Sequence, residues 1–267
     1  MSAAPAGLEP VACATVHDAI MAVQRRETDR ALVPIENALE GSVDPTLDAL
    51  AGEAGDVRIV GELIHPVRHC IIAARELAFG DVEAVVSHPQ ATAQCREFLR
   101  RELPGARILA ANSTADAVVQ VVGEPARPWA AIAPRLAAEL HGGTILRAGV
   151  EDVAGNETRF GWLAPADAGG EVASDGEQPW RTSILFWGAG AEAPGWLVRC
   201  LSEFAFRGVN LTKIESRPRR ERLGRYMFFV DCDGRSGDEQ VAGAIDGLRA
   251  HCEEVRVMGS YPAAFAA

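Results

Sequence analysis

The feature that most constrains this chain is a break in its pattern. Residues 164–180, APADAGGEVASDGEQPW, are rich in Ala, Gly, Pro, Asp and Glu and carry no apolar periodicity, so they read as a linker. About 163 residues precede the break and about 87 follow it, in a chain of 267. Single cores stop growing at about 250 residues, so the chain is expected to form two domains, 1–163 and 181–262. Hydrophobic residues make up 48% and charged residues 24%, which supplies enough apolar material for both. The formal net charge of −11 repels phosphate backbones and argues against general nucleic-acid binding. No apolar run approaches the ~20 residues of a membrane helix. The opening MSAAPAGLEP has neither a basic start nor an apolar core, so no secretory signal is read there and a cytoplasmic protein is expected.

The part after the break has a readable order. RTSILFWG reads as a strand, and Pro194 then opens a helical stretch with Leu197, Leu201, Phe204 and Ala205 on one face. VNLTKIESR and GRYMFFVDC read as strands split by the charged turn PRRERL. A helix with Val241, Ala244, Ile245 and Leu248 at spacings of three and four precedes VRVMGSY. The order βαββαβ predicts an α+β domain with its helices on one face of an antiparallel sheet. Before the break, strands and helices alternate. VACAT reads as a strand leading into a helix around 19–26. RALVPIE, VRIVGELI, VRHCIIAA, VEAVVS, ARILAA, WAAIA, TILRAGV and RFGWLA read as further strands. Helices are expected at 44–51, through Cys95, Phe98 and Leu99, at 113–122 and at 134–140. Such alternation predicts an α/β sheet covered on both faces, with ligands at strand ends.

Polar residues cluster where strands end. Glu36 and Asn37 follow ALVPI; Ser87, His88, Pro89 and Gln90 follow VEAVV; Asn112, Ser113 and Thr114 follow RILAA; and Asn156, Glu157, Thr158 and Arg159 precede FGWLA. Hydroxyls, amides and one guanidinium suit a polyoxygenated anion. Each cluster also has a plainer reading. Ser113 is placed as a helix N-cap with Asp116 completing a capping box. Ser87 either caps the next helix, with Pro89 in its first turn, or faces a ligand. His65 and His69, four apart, would share a strand face, but no third metal ligand accompanies them. Six cysteines, Cys13, Cys70, Cys95, Cys200, Cys232 and Cys252, are scattered without zinc spacing and read as buried free thiols. Lys213 is the only lysine, a bias that gene base composition explains as readily as function. The chain lacks GxGxxG, a Walker loop, GxSxG and HExxH, so neither nucleotide, metal nor other cofactor is expected.

VPIENALEGSVDPTLDAL (33–50), HPVRHCII (65–72), VSHPQATAQCREFL (86–99), NSTADAV (112–118) and GVEDVAGNETRF (149–160) together resemble prephenate dehydratase. VNLTKIESRPRR (209–220) resembles that family's ACT regulatory domain. The resemblance runs from about residue 10 to about 262 in order. It implies two α/β lobes like a type II periplasmic binding protein, with the site in the cleft between them, followed by the ACT domain. It implies conversion of prephenate to phenylpyruvate in phenylalanine biosynthesis, with no cofactor. An arogenate dehydratase, or an amino-acid-sensing protein without catalysis, are the alternatives to that reading.

By motif position, Thr158 is the catalytic residue implied, aimed at the leaving hydroxyl. Asn37, Ser87, His88, Gln90 and Asn156 are implied substrate contacts. Glu36 contacts substrate or orients Asn37, Arg159 holds a carboxylate or braces the loop, and Phe160 is an implied substrate contact with core packing as its plainer reading. The resemblance also implies phenylalanine as effector, held between two ACT domains by Gly195, Leu197, Val198, Glu215, Ser216, Arg217 and Pro218, and hence a homodimer or homotetramer. The sequence departs from the family in three ways. A glycine-rich GPxGTFSxxA-like opening, about twenty residues with a central strand, is expected to be missing before VACATVHDAI. Ala38 stands where serine is usual, and Trp196 where alanine is usual, which would fill or reshape the effector pocket.

Overall fold

The computed structural model describes residues 8–168, 178–188, 190 and 193–264. The chain divides into two units, one of residues 66–157 and one joining residues 1–65 to 158–267. The middle unit is thus inserted within the first, a division that the linear order of the sequence does not announce.

The inserted unit is built on a five-stranded sheet of order β6-β5-β7-β4-β8. Its strands are β4 (Cys70–Ala73), β5 (Ala84–Ser87), β6 (Arg107–Ala110), β7 (Trp129–Ala133) and β8 (Thr144–Ala148). β5 runs parallel to β6 and β7, whereas β4 is antiparallel to β7 and β8. The central strands β4, β5 and β7 are buried along their whole length, which is why they read as unbroken apolar runs. Alternate residues feed two cores. Ile72, Val86 and Ala131 pack with α5 (Thr114–Gly123) and α6 (Arg135–His141), while Ile71, Val85 and Ile132 pack with α3 (Pro89–Gln94) and α4 (Arg96–Glu102). Helices therefore cover both faces, as the sequence implies. The single helix expected through Cys95 is two, because Cys95 at φ −117° and ψ 20° ends α3 and starts α4.

The other unit carries two sheets. The first, of order β2-β1-β9-β3, uses β1 (Ala31–Asn37), β2 (Gly41–Ser42), β3 (Val57–Pro66) and β9 (Glu157–Pro165). Ala31, Val33 and Ile35 face α1 (Val16–Gln24) and α2 (Asp44–Ala51). The opposite face carries the cross-strand pairs Leu32–Trp162 and Pro34–Phe160, partly exposed, so helices cover one face of this sheet among the described residues. Phe160 is consequently not a core residue, contrary to the sequence expectation. VACAT is not a strand either. Thr15 caps α1 by accepting from the Asp18 amide, and Cys13 is exposed rather than buried.

The C-terminal βαββαβ order is observed: β10 (Trp180–Trp187), α7 (Trp196–Ala205), β11 (Leu211–Pro218), β12 (Tyr226–Asp233), α8 (Glu239–His251) and β13 (Glu254–Pro262). Of the segment expected as linker, Ala164 and Pro165 extend β9 and Trp180 begins β10, while 169–177 lie outside the described residues. The antiparallel sheet has the order β11-β12-β10-β13. Its Ile184, Phe186, Val230 and Cys232 pack under α7 and α8. Its other face, with Leu185, Met227, Phe229, Met258 and Tyr261, joins the core of the first sheet. Contact is close: a Cβ at Gly259 would collide with the Ile59 carbonyl. Arg256 donates to the Leu50 and Ala51 carbonyls that end α2, at 2.9 and 2.6 Å.

Candidate active site

In the unit containing the first sheet, the candidates come from two paired strands. β1 and β9 are antiparallel, with a bulge between Pro34 and Glu36 that shifts the register by one residue. After the bulge Glu36 faces Arg159 and Asn37 faces Thr158. The Asn37 carbonyl oxygen Oδ1 accepts from the backbone amides of Leu39 and Glu40, at 3.0 and 3.2 Å. Those two donors fix the amide's orientation, so Nδ2 is the end that donates to Thr158 Oγ1, at 2.9 Å. A hydroxyl that accepts a hydrogen bond is polarised into a better donor. The half-buried Thr158 therefore presents an activated O–H, held in place by an asparagine that is itself fixed.

The next residue pair points into a buried ionic cluster. Arg159, 8% exposed, donates to Asp231 at 2.7 Å, Glu36 at 3.0 Å and Glu62 at 3.2 Å. Arg181 binds both oxygens of Glu62, at 2.7 and 2.8 Å. Lys213 lies 3.6 Å from Glu36, its buried Nζ making no hydrogen bond. Three cations thus face three carboxylates. Burial works against the Arg159 charge, but the carboxylates, Asp231 foremost, more than reverse it and raise its pKa. Burial holds the Lys213 ammonium below its ordinary pKa, with Glu36 opposing. Ser183 donates to the second Asp231 oxygen at 2.6 Å and lies 2.7 Å from the Tyr261 hydroxyl, whose pKa burial and Asp231 raise. Both terminal nitrogens of Arg159 thus bond carboxylates of the chain itself.

In the inserted unit, β5 ends at Ser87, fully buried, whose hydroxyl donates to the Ile132 carbonyl at 2.7 Å. The cap of α3 is His88 rather than Ser87: His88 Nδ1 accepts from the Gln90 amide at 3.3 Å. Ser113 does cap α5, through the Asp116 amide at 3.0 Å. The loop before β9 is held by its acidic residues. Glu151 accepts from the His69 amide, and Asp152 accepts from the Glu97 and Phe98 amides that start α4. This delivers Asn156, 3% exposed, to Gln94, whose Oε1 it contacts at 3.3 Å. His69 Nε2 lies 3.0 Å from the same oxygen and so carries the proton. His69 Nδ1 and Asn156 Oδ1 are then two buried acceptors without a hydrogen bond. His69 and Gln94 are additions that sequence reasoning missed; the second glutamine of SHPQATAQC, four residues after Gln90 on a helix, was the available signal. His65 is exposed and takes no part. Among the described residues, no group of three His, Cys, Asp or Glu could hold a metal ion. GNETRF is itself the crossover between units, with Asn156 in one and Thr158 in the other.

In the C-terminal domain, Gly195 takes the left-handed conformation (φ +79°) at the start of α7. Leu197 packs against the core and Val198 is 66% exposed. Trp196 is buried beside Phe186 and Phe228, and its indole donates to the His251 carbonyl at 2.8 Å. On β11, Glu215 accepts from the Ser42 hydroxyl at 2.8 Å, and Arg217 makes a two-pronged pair with Asp48, at 3.1 and 2.9 Å, and a further pair with Asp44. Ser216 and Pro218 are exposed.

The family model for prephenate dehydratase matches residues 2–168. A prephenate dehydratase of Mycobacteroides abscessus is 42% identical over 255 residues, 96% of this chain and 80% of its own. The solved prephenate dehydratase of Arthrobacter aurescens in complex with L-Phe has a TM-score of 0.81 at 35% identity, over 95% of this chain and 83% of that one. GqqA, described as a novel type of quorum-quenching acylase, has a TM-score of 0.81 at 31% identity, over 97% of this chain and 91% of that one. The chain belongs to the prephenate dehydratase family.

Proposed function

We propose that this chain converts prephenate to phenylpyruvate, carbon dioxide and water, with Thr158 as the catalytic residue. The observation that carries the reading is the Asn37–Thr158 hydrogen bond, which leaves the threonine O–H free to donate. As the ring carboxylate departs as carbon dioxide, its bonding pair enters the ring and the C4 hydroxyl leaves. Thr158 donates to that oxygen as negative charge grows on it. Such positioned donation contributes about 10²–10⁴-fold. Aromatisation supplies the driving force, so positioning and desolvation suffice. Asn37, His88, Gln90 and Asn156 contact the substrate, and Ser87 supports them from beneath through its bond to the Ile132 carbonyl. Glu36 and Arg159 hold the strand pair, and Phe160 lies on the partly exposed face of the same sheet. His69 Nδ1 and Asn156 Oδ1 are suited to accept from a substrate hydroxyl.

Phenylalanine is the proposed effector, as the L-Phe complex of the Arthrobacter aurescens relative supports. Gly195, Leu197, Val198, Glu215, Ser216, Arg217 and Pro218 form its site. β11 is an edge strand with Ile214 half exposed, which supports a homodimer through this edge, or a tetramer of such dimers. No helix among the described residues is long and apolar enough to cross a membrane. The proposed place of action is the cytoplasm.

The test is phenylpyruvate formation from prephenate by the purified chain, with arogenate as the competing substrate. Turnover of prephenate at the higher kcat/KM supports the reading; no turnover of either overturns it. Calorimetry with phenylalanine should give saturable heat, and its absence would remove the regulatory part.

A further inference from the structure

Thr158 and Arg159 are successive residues of β9, and Asn37 and Glu36 are their partners on β1. One pair makes the activated hydroxyl. The other is gripped from the C-terminal domain. Asp231 on β12 takes Arg159 at 2.7 Å, and its remaining oxygen is held by Ser183 at 2.6 Å, so the carboxylate cannot turn away without breaking a second bond. Lys213 on β11 stands 3.6 Å from Glu36, the carboxylate that also binds Arg159. Lys213 is the only lysine of the chain, its side chain is 9% exposed, and its Nζ makes no hydrogen bond. A buried ammonium without a hydrogen bond acts on its surroundings through its charge. That charge balances the one carboxylate of the cluster that reaches the surface, Glu36, at 37% exposure.

From this geometry we infer that Lys213 and Asp231 are positioning residues for the dehydratase reaction. They act on Thr158 through the Glu36–Arg159 pair, so the C-terminal domain completes the catalytic machinery rather than only carrying an effector. A hydroxyl displaced by about 1 Å loses about 10²-fold in rate. The same strand β11 carries Glu215 and Arg217, which bond Ser42 on β2 and Asp48 on α2, so a shift of β11 also reaches two elements that flank β1. The inference rests on the proposed role of Thr158.

The experiment uses the full chain with Asp231→Asn, Lys213→Met, Lys213→Arg and Thr158→Ala, each assayed at 25 °C for kcat and KM with prephenate, beside its melting temperature. Asp231→Asn and Lys213→Met should lower kcat tenfold or more, with KM within about threefold of the parent. Lys213→Arg should recover most of the loss. A purely structural role would shift melting but leave kcat of the folded enzyme alone. Parental kcat in folded Lys213→Met, or an equal loss in Lys213→Arg, overturns the inference. If Asp231→Asn does not fold, the two Lys213 variants decide. Loss of activity in Thr158→Ala alongside unimpaired Lys213→Met would refute this inference alone; full activity in Thr158→Ala would refute the reading beneath it.

Discussion

Replacing Arg159 by methionine removes the guanidinium that three carboxylates share, and the three do not suffer equally. Glu62 keeps Arg181 at 2.7 Å, and Glu36 keeps Lys213 at 3.6 Å. Asp231 keeps only the hydroxyl of Ser183, at 2.6 Å. One buried carboxylate is therefore left without a counter-ion. Breaking a buried pair in this way costs about 3–5 kcal/mol. In a chain of this size each kcal/mol moves Tm by roughly 2–4 °C, so the expected loss is roughly 6–20 °C. Adding Asp231→Leu removes the orphaned charge, and replacing both partners of a buried pair is often close to neutral. The double variant should therefore melt well above Arg159→Met. Scanning calorimetry of the parent, both single variants and the double variant measures this cycle. If Arg159→Met melts within about 2 °C of the parent, or the double variant melts no higher than Arg159→Met, the account of the cluster fails.

Other consequences are as direct. Gly259→Ala should destabilise by about 1–3 kcal/mol or more, because its Cβ meets the Ile59 carbonyl, which is backbone and cannot swing aside; urea unfolding would read this, and a neutral result would contradict the packing of β13 on β3. Iodoacetamide at pH 8 should label the exposed Cys13 first. Cys95 and Cys232, whose thiols burial and nearby aspartates push up to about 12, should remain unlabelled in the native protein by mass spectrometry. Glu203 is held below the ordinary glutamate pKa by His251, 3.0 Å away, and by Arg207. Its folded pKa is depressed, so its contribution is present above the unfolded value near 4.3 and is lost as pH falls through the folded value. Glu203→Gln should therefore cost less than about 1 kcal/mol at pH 7, and the loss should shrink as pH is lowered below the unfolded value; a loss independent of pH would contradict the pairing.

What the sequence disclosed and what it hid have physical reasons. The C-terminal order was legible because Val241, Ala244, Ile245 and Leu248 keep a helical period and all four are buried. β4, β5 and β7 were legible as apolar runs between turn signals. VACAT misleads because four small apolar residues and a β-branched threonine satisfy a strand pattern, whereas the decisive signal is local, Thr15 three residues before Asp18. Cys95 split a helix whose apolar spacing continues across the break. Core packing of Phe160 is not what strand alternation gives: it turns Phe160 to the face that helices leave open among the described residues. The motif residues Asn37 and Thr158 were legible; the bulge that brings them together is not, since it depends on the register of strands 121 residues apart. The Asp231 partner of Arg159 is hidden for the same reason: it lies 72 residues further along the chain.

The central claim is that a threonine hydroxyl, sharpened by an asparagine, assists the departing oxygen of prephenate. The most direct measurement is kcat for Thr158→Ala and Thr158→Ser against the parent. The account predicts a loss of about 10²–10⁴-fold for alanine, with KM nearly unchanged, and a serine variant within about tenfold of the parent. An alanine variant that turns over prephenate at the parental rate would contradict it.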